Sequence, residues 1–186
     1  VNKLLIQNND SVTSISKETL VLNEMESRLL RHPMVRDAQV FVTVDGTLGA
    51  RIEQRNPLAR VAGSPDYYVD EDGKKMPLST VYAARVPLIT GSSDNNFTEL
   101  TPLLIKLRDD DYMSRSVVGI HRNRDGTVEM RIRKQDFKVF FGTLEDMDMK
   151  FQNYKAFCKK ARIDGKLASY KRVNLQFGNQ VVATKK

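Results

Sequence analysis

Hydrophobic and polar residues alternate over several short stretches of the chain, and an Asp-Gly pair interrupts most of them. Around Asp45-Gly46, Ala38, Val40, Val42 and Val44 alternate with polar or exposed positions, and Leu48, Ala50 and Ile52 alternate with Gly49, Arg51 and Glu53. A period of two across a turn that supplies positive φ predicts an antiparallel hairpin with one apolar face. Val118 and Ile120 answer Val128, Met130 and Ile132 across Asp125-Gly126 in the same way. Asp72-Gly73 predicts a shorter hairpin joining residues 67–70 to 75–78. Asp164-Gly165 follows a helical pattern and reads instead as a helix-to-strand turn.

Three stretches carry the helical period. Leu22, Met25 and Leu29 follow it until His32-Pro33, with Asn23 and Glu26 spaced as a capping box. Leu100, Leu103, Leu104 and Leu107 form a stripe from about residue 98 to 107, where Pro102 demands a late start or a kink. Met147, Phe151, Tyr154 and Cys158 recur at i, i+4, i+7 and i+11 in the clearest helix, which Thr143 and Asp146 open. Residues 1–7 look like a helix already under way. Near the other end, Val173, Leu175 and Phe177 alternate with Arg172, Asn174 and Gln176, and Gly178-Asn179 makes a bulge or turn before Val181-Val182.

The predicted order is helix, helix, hairpin, short hairpin, helix, long hairpin, strand, helix and a final strand or strand pair, an α+β arrangement. A break at Ala62-Gly63-Ser64-Pro65 separates residues 1–61 from residues 65–186. A fragment of about 60 residues buries only about 60% of its unfolded surface, so the first should be the less stable.

Charge is unevenly spread. Residues 1–95 carry 11 Lys and Arg against 12 Asp and Glu, whereas residues 96–186 carry 19 against 11, so the net charge of +7 belongs to the second half. That field favours encounter with something acidic, whether nucleic acid, anionic lipid or protein. The longest stretch free of Asp, Glu, Lys and Arg is the 12 residues from Val173 to Thr184, short of the roughly 20 apolar residues a transmembrane helix needs. One Cys and two His exclude a disulfide framework and argue against a multi-ligand zinc site.

No constellation makes an active site. Asp109-Asp110-Asp111 has no Glu or His at ligand spacing and reads as a solvated helix terminus. Asp70-Glu71-Asp72-Gly73 lacks a calcium loop's acid at position twelve, which is Val81 here, and reads as a hairpin turn. Cys158 shares a stripe with Phe151 and Tyr154 and reads as packing. His32 suits a helix end, and His121 lies beside Arg122 and Arg124 with no nucleophile motif near it. No cofactor is implied, and the chain does not read as an enzyme. Arg122, Arg124, Arg131, Arg133, Lys134 and Lys138 crowd the long hairpin. They form either a solvated sheet face or a docking face for an acidic protein segment. Without Trp, and with most aromatics in phase with packing residues, nucleic acid is the weaker reading. The last strand is expected near a sheet edge, where Lys171 can blunt it or a partner can add a strand.

Several runs also resemble a known family. Arg31-His32-Pro33-Met34-Val35-Arg36-Asp37-Ala38-Gln39-Val40, the Asp45-Gly46 hairpin and Glu53-Gln54-Arg55-Asn56-Pro57-Leu58-Ala59-Arg60-Val61 resemble the end of a POTRA domain. Tyr68-Val69-Asp70-Glu71-Asp72-Gly73-Lys74-Lys75-Met76-Pro77-Leu78 and Arg172-Val173-Asn174-Leu175-Gln176-Phe177 follow, in the order found in the FtsQ/DivIB family of bacterial cell-division proteins. The resemblance implies a truncated POTRA domain at 1–61, without its first strand, and an FtsQ-type β domain at 65–186. It implies a non-enzymatic divisome scaffold, anchored in the inner membrane by one N-terminal helix absent here, with this segment extracytoplasmic (periplasmic) at the division septum.

Family partners are FtsB (DivIC) and FtsL, bound by strand addition at the terminal edge, with FtsK recruited through the POTRA domain. The implied contact residues are Arg122, Arg124, Tyr170, Arg172, Val173, Asn174, Leu175, Gln176 and Phe177. Arg172 stands where some relatives carry an aromatic residue. The alternative is a POTRA-type chaperone or adaptor in outer-membrane protein assembly or secretion.

Overall fold

The computed structural model describes residues 22–79, 82–91, 97–178 and 180–186, so the helix expected over residues 1–7 lies outside the described residues. The chain divides between Asn56 and Pro57 into two compact units. The boundary falls before the predicted break because residues 57–61 form a strand that hydrogen-bonds into the sheet of the second unit.

The first unit holds α1 (Leu22–Leu30), β1 (Val35–Val42) and β2 (Leu48–Gln54). Met25 and Leu29 pack on Val35, Ala38 and Val40, with Leu22, Leu48, Ala50 and Ile52 at the margin. The predicted hairpin is present, and its turn closes through Thr43 N–H to Thr47 O and Gly46 N–H to Thr43 O, both 2.9 Å, with Gly46 at φ 85°. The predicted capping box is not. Asn23 lies inside the helix, and the Glu26 carboxylate accepts the main-chain N–H of Val40 at 2.8 Å instead.

The second unit is a mixed sheet of nine strands. The strands are β3 (Pro57–Val61), β4 (Tyr67–Asp70), β5 (Lys75–Met76), β6 (Leu88–Thr90), β7 (Val117–Arg122), β8 (Val128–Ile132), β9 (Lys138–Gly142), β10 (Tyr170–Asn174) and β11 (Val182–Lys185). Their order in space is β11-β10-β9-β8-β7-β6-β3-β4-β5. Consecutive antiparallel pairs follow from the hairpin turns, while the parallel pairs need longer crossovers. Helices α2 (Thr101–Asp109) and α3 (Asp111–Ser116) join parallel β6 and β7, and α4 (Met147–Ile163) joins parallel β9 and β10.

Helix side chains cover one face of this sheet. Leu100, Leu103, Leu104, Leu107, Met113, Phe151, Tyr154 and Cys158 share a core with Ile89, Ile120, Val128, Met130, Val139, Phe141 and Val173. Burial alternates along β8 and β9, so the opposite face carries exposed or half-buried Glu129, Arg131, Lys138 and Phe140. Pro102 does impose the late start of α2, standing in its first turn after Leu100. The opening of α4 differs from expectation. Asp146 is left-handed at φ 50° with no side-chain cap, and buried Lys150 donates to the Thr143 carbonyl at 2.7 Å.

The acidic runs have structural roles. Asp110 caps α3, accepting from the N–H groups of Tyr112 (3.1 Å) and Met113 (3.0 Å), and pairs with Lys155. Asp70 accepts the N–H groups of Asp72 (3.0 Å) and Lys74 (2.7 Å) inside its turn. Cys158 is buried. No helix among the described residues is long and apolar enough to cross a membrane.

Candidate partner-binding edge

The strand predicted as a free edge is an interior strand. Arg172, Val173 and Asn174 stand opposite Lys138, Val139 and Phe140 of β9 on one flank, and opposite Thr184, Ala183 and Val182 of β11 on the other. Leu175 extends the first ladder by donating to the Phe140 carbonyl at 3.0 Å. Beyond it the chain turns away, with Gln176 N–H donating to Asn174 Oδ1 (2.9 Å) and Gln180 N–H to the Phe177 carbonyl (2.8 Å). Val173 and Leu175 are core residues, so neither their backbones nor their side chains offer a surface. Pairing on both flanks therefore leaves no free edge for strand addition at Arg172, Val173 or Asn174. The edge is one strand further on, at β11.

The direction of the β11 amides follows from one bond. Lys186 N–H donates to the Ser169 carbonyl at 2.8 Å and so points inward toward the strand pair. Main-chain groups alternate along a strand, so Thr184 and Val182 also point inward, and the amides of Ala183 and Lys185 point away from β10. The extra residue in this pairing lies on β10, between Tyr170 and Arg172, and leaves the alternation of β11 intact. Among the described residues no strand pairs with the outer flank of β11.

Beside this edge the open sheet face mixes cations, one acid and an aromatic ring. The Arg172 guanidinium lies over Phe140, and Glu129 stands 3.6 Å from Arg172 and 4.0 Å from Lys138. Farther along, a depression of about 330 Å³ is lined by Leu88, Gly119, His121, Glu129, Arg131 and Lys138. Gly119 leaves room there, since a Cβ would stand 3.3 Å from Arg131 Nε. His121 Nδ1 lies 3.0 Å from Thr90 Oγ1.

The remaining expected contact residues scatter. Tyr170 packs edge-on against Phe157, with ring centroids 5.1 Å apart. Phe177 is half exposed beyond the end of β10. Arg122 is half-buried and paired with Glu99, whereas Arg124 is exposed in the β7–β8 turn. Arg133 and Lys134 follow the far end of β8, so the cations of the long hairpin do not form one patch. Residues 182–185, which no pattern singled out as the edge, carry the free strand. Gly178-Asn179 followed by Val181-Val182 was the available signal, being a turn followed by β-branched residues.

Comparison with curated proteins gives no match. The family model described as FtsQ/DivIB, C-terminal related matches residues 56–184, from the start of β3 to all but the last residue of β11, and the chain belongs to that family of cell-division proteins.

Proposed function

We propose that this chain is a non-enzymatic assembly module of the divisome that takes a strand from FtsB/DivIC, in company with FtsL, along the outer flank of β11. The observation that carries the reading is the pair of outward amides at Ala183 and Lys185 on a strand with no outer neighbour among the described residues. An incoming strand gains main-chain hydrogen bonds there, and its alternate side chains meet Val182, Thr184 and Arg172 on the open face. The cations of that face supply attraction for an acidic segment. The reading takes the segment as the extracytoplasmic part of a membrane-anchored protein at the septum. Family membership favours division over outer-membrane assembly or secretion.

The test compares two proline variants for binding of the FtsB ectodomain. Ala183→Pro removes an outward donor, and Thr184→Pro removes an inward one that holds β11 to β10. Ala183→Pro should weaken binding at least tenfold while the melting transition is kept, and Thr184→Pro should lower both. Unchanged affinity in folded Ala183→Pro protein would refute strand addition at β11.

A further inference from the structure

The end of the large sheet where β8 and β11 finish and β9 and β10 begin is strongly basic. Residues 133–137, 162–171 and 185–186 meet there, carrying seven Lys and Arg against two Asp. They are brought together by the Lys186 N–H bond to Ser169 (2.8 Å), by the turn Leu167–Ser169 leading directly into β10, and by Lys166 N–H donating to the Ala161 carbonyl (2.9 Å) at the end of α4. Of the seven cations, only Lys186 carries an ion pair among the described residues, to Asp136 at 3.0 Å. Arg133, Lys134, Arg162, Lys166, Lys171 and Lys185 are exposed.

Cations at the end of a helix favour its dipole, and that explains Arg162 and Lys166. It does not explain Arg133, Lys134, Lys171 and Lys185, which belong to strands and a turn, or why six of the seven cations have no ion pair among the described residues. A second observation bears on the occupant. Ile163, on the last turn of α4, is 77% exposed in the midst of these charges. Helical spacing sets it on the solvent side, above Lys159 and Lys160. The other exposed large apolar residues near β10 and β11, Phe177 and Val182, stand at the opposite end of those strands.

We propose that this basic pole binds the surface of an anionic lipid bilayer, with the cations at the headgroup phosphates and Ile163 inserted between headgroups. A single aliphatic side chain ringed by cations suits an interface that is charged outside and apolar just beneath. A protein partner would instead call for a contiguous apolar patch at the centre of its contact, and single-stranded nucleic acid for an exposed aromatic platform. Here Tyr170 and Phe157 are half-buried against each other. This surface adjoins the end of β11 at Lys185, but its other cations and Ile163 lie off that strand's outer flank, and the vesicle test does not depend on strand addition.

The chain is floated with phosphatidylcholine vesicles and with vesicles of phosphatidylcholine mixed with phosphatidylglycerol. It should bind the second and not the first, more weakly as salt rises. Each of Lys166→Gln and Lys171→Gln should lower the partition coefficient about fivefold, the factor that corresponds to about 1 kcal/mol per surface cation. Ile163→Ser should lower it at moderate salt without altering its salt dependence, and Lys74→Gln, across the sheet in the β4–β5 turn, should change nothing. All four positions are exposed, and thermal melts report that each variant is folded. Equal binding to the two vesicle types, or unchanged partition of Lys166→Gln and Lys171→Gln, overturns the proposal. So does retention of an acidic peptide or an oligonucleotide without retention of anionic vesicles.

Discussion

The guanidinium of Arg172 lies 4.7 Å from the centroid of the Phe140 ring on the neighbouring strand. Both residues project from the open sheet face, and Glu129 holds the other side of the guanidinium at 3.6 Å. The arrangement fixes the orientation of a charge that is still half exposed and stands one strand in from the free edge.

Replacing Arg172 should therefore separate binding from folding. A cation over an aromatic ring at an exposed site contributes about 0.5–1 kcal/mol, so Arg172→Ala should cost the fold no more than that. Affinity for the FtsB ectodomain should fall roughly tenfold if Arg172 acts as an interface anchor. Urea denaturation and a binding titration on the same variant supply both values, and a loss confined to stability would remove Arg172 from the docking surface.

Glu26 offers a second test, confined to the first unit. Its carboxylate takes the outward N–H of Val40, which faces away from β2 and meets no strand among the described residues. Glu26→Ala should destabilise this unit by about 1.5–3 kcal/mol, the range for a lost hydrogen bond to a charged group. Amide hydrogen exchange at Val40 should quicken more than at Phe41, whose partner on β2 is Gly49. Equal acceleration at both would mean general loosening instead.

Asp110 makes stability depend on acid. Burial raises its pKa, but the Lys155 ammonium and the N–H groups of Met113 and Tyr112 outweigh burial and hold the carboxyl below the usual value. A carboxyl depressed in the folded state contributes stability that is full above the unfolded value, about 3.9, and is lost as pH falls through the folded value. Asp110→Asn keeps a capping oxygen and loses the charge, so it should be less stable at neutral pH and should converge with the parent chain in acid. Denaturation midpoints at neutral and acidic pH decide the matter, and a constant gap would contradict it.

Much of the scaffold was legible because it is written at short range. The turns at Asp45-Gly46 and Asp125-Gly126 lie between residues of period two, and the α4 stripe repeats over three turns. Glu26 was misread because its acceptor role joins residues 14 apart, which no local spacing reveals. The pairing of Arg122 with Glu99 is hidden for the same reason, since it joins residues 23 apart. The edge was misplaced by one strand for a related reason. Residues 173–177 alternate well because β10 has one face in the core. The alternation that marks a strand does not say how many neighbours it has, and β11, with a single core-facing Ala183, leaves almost no hydrophobic trace.

The β11 ladder also has a mechanical meaning. Hydrogen bonds between antiparallel strands run across the strand axis, so a polypeptide laid along β11 and pulled along its length would load every rung together. Behind β11, the β9–α4–β10 crossover spreads such a load into the body of the sheet. A joint formed there as proposed would tolerate sliding tension and yield to peeling.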